Sequence, residues 1–246
     1  MLYTKTMKKF FFSFLLFIIC KAASAQVIIA LLFGDKLNTD KLEFGLFGGP
    51  TFSNISNMNA EAKPGFNLGL YFNVKISNNF FLHPEAIAKE ALGAKGITPY
   101  STGIPEIDES FVDGSITRKI KAVSLPLLVQ YRIKGSLFVQ AGPQVDWQLK
   151  TKDIFTTEVN DAPLEYTIKA KDVTTAFSVD VAGGLVYRFK KDKGVGLGLR
   201  YCYGLTDIMK KENGKQVNTA WLINLSIPVG AGKAAAKAKQ KTVAAI

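Results

Sequence analysis

His83 and Glu85 stand two residues apart, so they would share one face of a β-strand. A histidine beside a carboxylate is part of the set that a hydrolase needs, and Ser124 or Asp146 could complete it. No sequence motif connects these residues, and His83 closely follows a predicted turn at Asn79. We therefore predict no enzymatic activity and interpret His83 as a hydrogen-bonding residue of a strand interior or a turn.

Two further patterns could bind ligands. Gly194, Gly196 and Gly198 suggest a phosphate loop, but no helix follows to supply the amides that hold a phosphate. We expect these glycines on the inner face of a strand, where they leave room for larger neighbours. The acidic residues of the predicted loops match no calcium-loop spacing: Asp108, Glu109, Asp113, Asp153 and Asp161. With one histidine and two cysteines in the chain, we predict neither a metal site nor a cofactor.

The N-terminus has the form of a secretory signal peptide. Lys5, Lys8 and Lys9 precede an apolar run at 10–20, and the small residues Ala23-Ser24-Ala25 follow. We predict residues 1–25 as the signal peptide, with cleavage between Ala25 and Gln26. The run at 10–20 is too short to span a membrane, and no later apolar stretch is longer, which argues against a helical membrane protein.

Removing the signal peptide changes how the charge is interpreted. The whole chain carries a formal net charge of +11, but residues 26–230 carry only +3, because four lysines lie in the signal peptide and four in the tail. No basic stripe interleaved with aromatic residues remains, so we predict no nucleic-acid partner.

The rest of the chain alternates with a period of two. Between 137 and 149 the odd positions are apolar, while most even positions are Gln, Gly or Asp. Such a period places one set of side chains on each face of a strand. It predicts eight strands at 42–54, 64–77, 80–92, 116–133, 137–150, 172–190, 194–207 and 219–229. The third is the least certain in type, because the Ala-rich segment 85–91 could also be helical.

Connection lengths and strand lengths predict a membrane-spanning barrel. Long connections alternate with short ones, as in barrels with short turns on one side and long loops on the other. The strands are longer than the five or six residues usual in globular sheets and match the roughly 9–11 that cross a bilayer. We predict an all-β fold, an eight-stranded antiparallel up-and-down barrel, with its apolar face toward lipid. A secreted lipocalin-like calyx, with the apolar face turned inward, is the alternative.

Two sets of side chains follow from this fold. Charges of both signs would meet in a polar, filled lumen and would have to pair there: Glu85, Arg132, Asp146, Asp180, Arg188 and Arg200. Aromatic side chains would form girdles at the two membrane interfaces: Trp147, Tyr203 and Trp221 at the outer one, Tyr131 and Tyr187 at the inner one.

Three blocks resemble one family. Residues 120–132 (IKAVSLPLLVQYR), 138–143 (FVQAGP) and 199–208 (LRYCYGLTDI) are similar to the PorT-type outer-membrane β-barrel family. The resemblance covers about 42–229 and implies a small outer-membrane barrel of Gram-negative bacteria without a catalytic set. It also implies a link to protein secretion or to another envelope function.

These observations divide the chain into a signal peptide (1–25), an N-terminal leader (26–41), a barrel (42–230) and a Lys/Ala-rich tail (231–246). The last strand lacks the terminal aromatic residue that usually helps the outer-membrane assembly machinery. We predict a monomeric outer-membrane protein with a structural or interaction role. Its expected partners are outer-membrane lipid, the assembly machinery and a protein that the sequence does not name. A narrow channel for ions or small solutes is the alternative function.

Overall fold

The structure is a computed structural model that describes residues 38–39, 41–159, 162–190, 194–210 and 214–229. The predicted signal peptide with its cleavage site, most of the leader and the Lys/Ala-rich tail lie outside the described residues. Among the described residues, no helix is long and apolar enough to cross a membrane.

The described part of the chain consists mainly of antiparallel strands. They are β1 (Leu42–Ile55), β2 (Glu61–Lys75), β3 (Phe80–Ile97), β4 (Ser115–Lys134), β5 (Leu137–Val159), β6 (Ala162–Lys169), β7 (Phe177–Arg188), β8 (Gly196–Gly204) and β9 (Asn218–Pro228). One short helix, α1 (Pro105–Ser110), lies between β3 and β4, and a 3-10 helix (Lys171–Val173) precedes β7.

Eight of these strands close into a ring. The strands β1 to β5 pair antiparallel in chain order, and so do β7 to β9. Because β5 also pairs with β7, and β9 pairs with β1, these eight strands form a barrel without a free edge. The predicted eight-stranded up-and-down barrel is therefore confirmed. Short turns join β2 to β3, β4 to β5 and β7 to β8, and they define the short-turn end. The other end, where the remaining connections lie, is the long-loop end.

The additional strand β6 was not predicted. It pairs with the second half of β5, from Lys152 to Val159, whereas β7 pairs with the first half, from Leu137 to Trp147. The hairpin thus projects beyond the ring at the long-loop end. The segment 151–171 was expected to be a long loop, although Leu164, Tyr166 and Ile168 alternate with three polar residues. This alternation is only six residues long, and most residues of β6 are exposed.

Two other predicted boundaries were wrong. The third strand runs to Ile97 rather than to residue 92, and it is a strand throughout, not a helix. The strand predicted at 172–190 begins only at Phe177, because a 3-10 helix occupies 171–173.

The apolar face of the ring points outward. On β4, Leu125 and Leu127 are about half exposed, while Ser124 and Gln130 are fully buried in the interior. The same alternation runs around the other ring strands, with Leu197 and Leu199 outside and Arg200 inside. This arrangement contradicts a calyx, which needs its apolar face inside, and it is the one expected for a barrel surrounded by lipid.

Among several register shifts, two β-bulges change the side on which charged residues lie. Ile87 pairs with Ser124 and Glu90 with Ala122, so β3 uses one residue more than β4 at this place. Glu90 therefore turns inward, and Lys89, which strict alternation assigns to the lumen, lies on the outer face. A second bulge, at residues 149–150 of β5, shifts the following residues in the same way.

Candidate functional site in the lumen and at the long-loop end

An ion-pair layer crosses the middle of the lumen. Arg200 on β8 donates two hydrogen bonds to the Glu85 carboxylate on β3, one of them at 2.6 Å, and both side chains are almost fully buried. His83 Nε2 lies 3.0 Å from Glu85 Oε1, and the His83 ring stacks on Tyr71 at 5.1 Å between centroids. Gly184 faces Arg200 from β7, and a Cβ there would lie 2.2 Å from the Leu199 carbonyl oxygen, so the two strands approach too closely for a side chain.

A second layer fills the lumen at the short-turn end. Arg188 donates to Glu43 Oε1 at 3.3 Å and to Gln130 Oε1 at 3.0 Å. The guanidinium groups of Arg132 and Arg188 both lie over the buried rings of Phe81 and Phe138, at 5.0–5.9 Å from the ring centroids. A cation is attracted electrostatically to the face of an aromatic ring. The stacked guanidinium groups and rings occupy the cross-section of the barrel.

These two layers leave almost no free volume between them. The cavity that His83, Glu85, Gln140, Arg188 and Arg200 help to line has a volume of about 20 Å³. That is room for a single water molecule.

A third layer is acidic and lies on the long-loop side of Arg200. Glu90, Asp146 and Asp180 are buried there, and Asp146 is the charged group that acts most strongly on Glu90. Gln144 Nε2 donates to Asp146 Oδ1 at 2.8 Å, but neither Glu90 oxygen accepts a hydrogen bond from a described residue. Within the described ranges, no group of three or more His, Cys, Asp or Glu side chains is arranged to hold a metal ion.

The long-loop end is closed by an apolar cluster with one ion pair inside it. Residues of the strand ends pack against residues of the loops: Ile55, Leu92, Ile116, Ile120, Phe155, Phe111, Ile208 and Met209. Arg118 donates to both oxygens of Asp153, at 2.8 and 2.6 Å, and Tyr100 donates to Asp153 Oδ2 at 2.8 Å. Burial and the neighbouring Asp153 charge raise the pKa of Tyr100 to about 12, so this phenol donates at every physiological pH.

The structure brings some of the predicted lumen residues together and separates others. Glu85 and Arg200 pair directly, and Arg132 and Arg188 share two aromatic rings. Asp146 and Asp180 belong to the separate acidic layer. Glu90 was missed, because only the bulge on β3 turns it inward, and the sequence shows no insertion there.

The residues considered for catalysis do not form a nucleophile–base pair. His83 contacts Glu85, as their spacing predicts, but Arg200 occupies both oxygens of that carboxylate. Ser124 Oγ makes no hydrogen bond to His83, so the two do not form the pair that nucleophilic catalysis needs. The Gly194 amide, considered for phosphate binding, donates to Glu43 Oε2 at 3.1 Å.

The predicted girdle residues form two bands on the outer face. Tyr131 pairs with Phe80, the first residue of β3, and Tyr187 pairs with Leu137, the first residue of β5. Both tyrosines therefore lie next to the short turns. At the other band, Trp147 stacks on Phe177 at 6.1 Å, and Trp221 packs on Tyr201 at 4.8 Å. Tyr203 lies opposite Thr219, two residues closer to the long-loop end than Trp221. The five girdle side chains are 40–52% exposed.

Comparison with known proteins gives a family and several similar folds. Residues 33–210 match the family described as outer membrane protein beta-barrel domain. Ail, the attachment invasion locus protein of Yersinia pestis, solved with the heparin analogue sucrose octasulfate, is 12% identical, with 76% of this chain and 99% of that chain covered and a TM-score of 0.42. Neisserial surface protein A is 8% identical, with 75% of this chain and 96% of that chain covered and a TM-score of 0.39. OprG of Pseudomonas aeruginosa is 11% identical, with 76% of this chain and 94% of that chain covered and a TM-score of 0.33. A search of curated proteins finds no match.

Proposed function

Because the chain belongs to the family of outer membrane protein beta-barrel domains, we propose that it is a monomeric, non-conducting barrel that acts through its long-loop end. Its role is then a structural one or an interaction in the envelope. Short turns of such barrels face the periplasm and long loops face outward, which makes the long-loop end extracellular. The outward apolar face and its two aromatic bands support contact with outer-membrane lipid along the wall between the two ends.

The filled lumen is the observation that carries this proposal. Arg188 with Phe81 and Phe138 occupies the short-turn end, the Glu85–Arg200 pair crosses the middle, and an apolar cluster closes the long-loop end. A solute would have to displace all three. A barrel that conducts no solute can still bind partners at its extracellular surface. The β5–β6 hairpin projects at that end of the barrel.

Planar-bilayer recording tests this proposal against the narrow-channel alternative. We expect no conductance steps from the purified wild-type protein. We also expect none from Arg200→Ala or Asp146→Ala, because each substitution empties one layer and leaves the others closed. Steps in the wild type whose size changes in either variant would identify a channel and overturn the proposal. Heat-modifiable gel mobility confirms that each variant is folded before recording.

The three PorT-like sequence blocks support extending the proposal to protein secretion. If the barrel serves secretion, deleting its gene should remove particular proteins from the culture medium and leave them in the periplasm. Comparative proteomics of the two fractions measures this, and the wild-type gene supplied in trans should restore the pattern. An unchanged set of secreted proteins would overturn the extension without touching the interaction role.

A further inference from the structure

Five exposed lysines form a cluster on the outer face of the wall at the long-loop end. We call it the lysine patch: Lys119, Lys121, Lys150, Lys152 and Lys169. Lys119 pairs directly with Lys152, and Lys152 pairs with Lys169, so one row crosses three strands. Lys121 pairs with Lys150 in a second row.

The bulge on β5 creates this patch. Gln148 lies in the lumen, and strict alternation would place residues 150 and 152 there as well. The extra residue at 149–150 turns Lys150 and Lys152 outward and Thr151 and Asp153 inward. Four lysines thereby oppose one another in two adjacent cross-strand rows on one surface.

Such an arrangement is unfavourable for the barrel alone. Directly opposite residues of an antiparallel pair have Cβ atoms about 5 Å apart, and like charges at that distance destabilise a sheet. None of the five lysines forms an ion pair with a described residue, whereas nearby Lys95 pairs with Glu61 at 3.2 Å. An external anion would compensate the repulsion that the fold leaves in place.

The position of the patch identifies where that anion lies. Trp147 on β5 belongs to the outer aromatic band and pairs with Val123 on β4. Toward the long-loop end, Lys150 lies three residues from Trp147, and Lys121 lies two residues from Val123. At about 3.3 Å per residue, the patch begins within about 10 Å of the apolar belt. It faces sideways from the wall, toward the neighbouring lipid headgroups rather than into the loops.

We propose that the lysine patch binds the phosphate groups of glycolipid headgroups in the outer leaflet. Lysine ammonium groups bind phosphate as point charges, and lysines beside a membrane are attracted to anionic lipid. Two rows over three strands cover an area of roughly 10 by 7 Å, enough for one phosphorylated headgroup. The proposal goes beyond the proposed function, since it holds whether or not a protein partner exists.

Binding of diphosphorylated lipid A to the full-length protein in neutral detergent tests this proposal. Trp147 lies next to the patch, so its fluorescence reports binding. The test variant is Lys119→Gln/Lys150→Gln/Lys152→Gln. The matched control is Lys134→Gln/Lys210→Gln/Lys215→Gln, which removes the same charge from exposed lysines elsewhere. Each lysine near an anionic lipid is worth about fivefold in affinity, so we expect about 100-fold weaker binding for the test variant and less than threefold for the control.

Two further arms identify the source of the anion. Lipid A from which both phosphates have been removed should bind at least 50-fold more weakly to the wild type, and inorganic phosphate should not compete at equal concentration. Equal binding by the test variant and the wild type, or by the dephosphorylated lipid, would overturn the proposal. The proposal would also be overturned if inorganic phosphate bound as tightly as the lipid. The pair Lys121→Gln/Lys169→Gln, expected to weaken binding about 25-fold, provides a second variant if the triple one does not fold.

Discussion

Replacing Arg200 with methionine is expected to lower the free energy of unfolding of the barrel by about 3–5 kcal/mol, the cost of breaking a buried ion pair by removing one partner. The guanidinium supplies two hydrogen bonds to Glu85, and the carboxylate is too deep in the lumen to be solvated. His83 would remain as its only contact from the ion-pair layer. Urea unfolding of the protein in lipid vesicles, followed by tryptophan fluorescence, measures this loss.

A double variant separates the lost pair from a simple packing defect. Glu85→Met/Arg200→Met removes both charges and keeps the volume, and apolar replacement of a whole buried pair is often neutral or stabilising. We therefore expect it to recover most of the loss. A loss below about 1 kcal/mol for Arg200→Met would mean that water compensates Glu85, and the lumen would then not be filled as described.

Replacing Glu90 with glutamine is expected to have the opposite sign and to raise the free energy of unfolding by about 1–3 kcal/mol. Glu90 is fully buried beside Asp146, and neither of its oxygens accepts a hydrogen bond from the described part of the chain. Glutamine has the same shape without the charge, so only Asp146 and Asp180 remain as carboxylates in the acidic layer. The same urea titration at pH 8 measures the gain.

The matched control is the same substitution five residues earlier on the same strand. Glu85→Gln weakens a carboxylate that Arg200 binds through both oxygens, so it should destabilise the barrel while Glu90→Gln stabilises it. If both variants shift stability in the same direction, the distinction between a paired and an unpaired lumen carboxylate is wrong.

The strands could be predicted because their pattern is local. Each outward position meets lipid and each inward position meets the lumen, so alternation along residues such as Leu197, Gly198, Leu199 and Arg200 reports the fold directly. The strand β6 also alternates, but only over residues 164–169, which is too short a run to cross a bilayer. The prediction therefore included this segment in a loop.

The contents of the lumen could be predicted only in part. The sequence predicts that opposite charges must pair there, but which charges meet depends on how the ring closes. Glu85 and Arg200 are 115 residues apart and lie on strands that share no hydrogen bonds. The bulges change which residues point inward without leaving a sequence signal, so strict alternation places Lys89 in the lumen and Glu90 outside it, the reverse of their positions in the barrel.

The two cross-lumen ion pairs also bear on how the barrel assembles. Their acids, Glu43 and Glu85, come from β1 and β3, and their cations, Arg188 and Arg200, come from β7 and β8. A chain that has inserted only its first strands holds Glu43 and Glu85 without their arginine partners. A chain that has inserted only its last strands holds Arg188 and Arg200 without their acids. Since an unpaired charge is costly inside a membrane, a partly inserted sheet is penalised from both sides, and pairing is complete only when β9 reaches β1. Closure of the ring and formation of these two ion pairs are therefore one cooperative event.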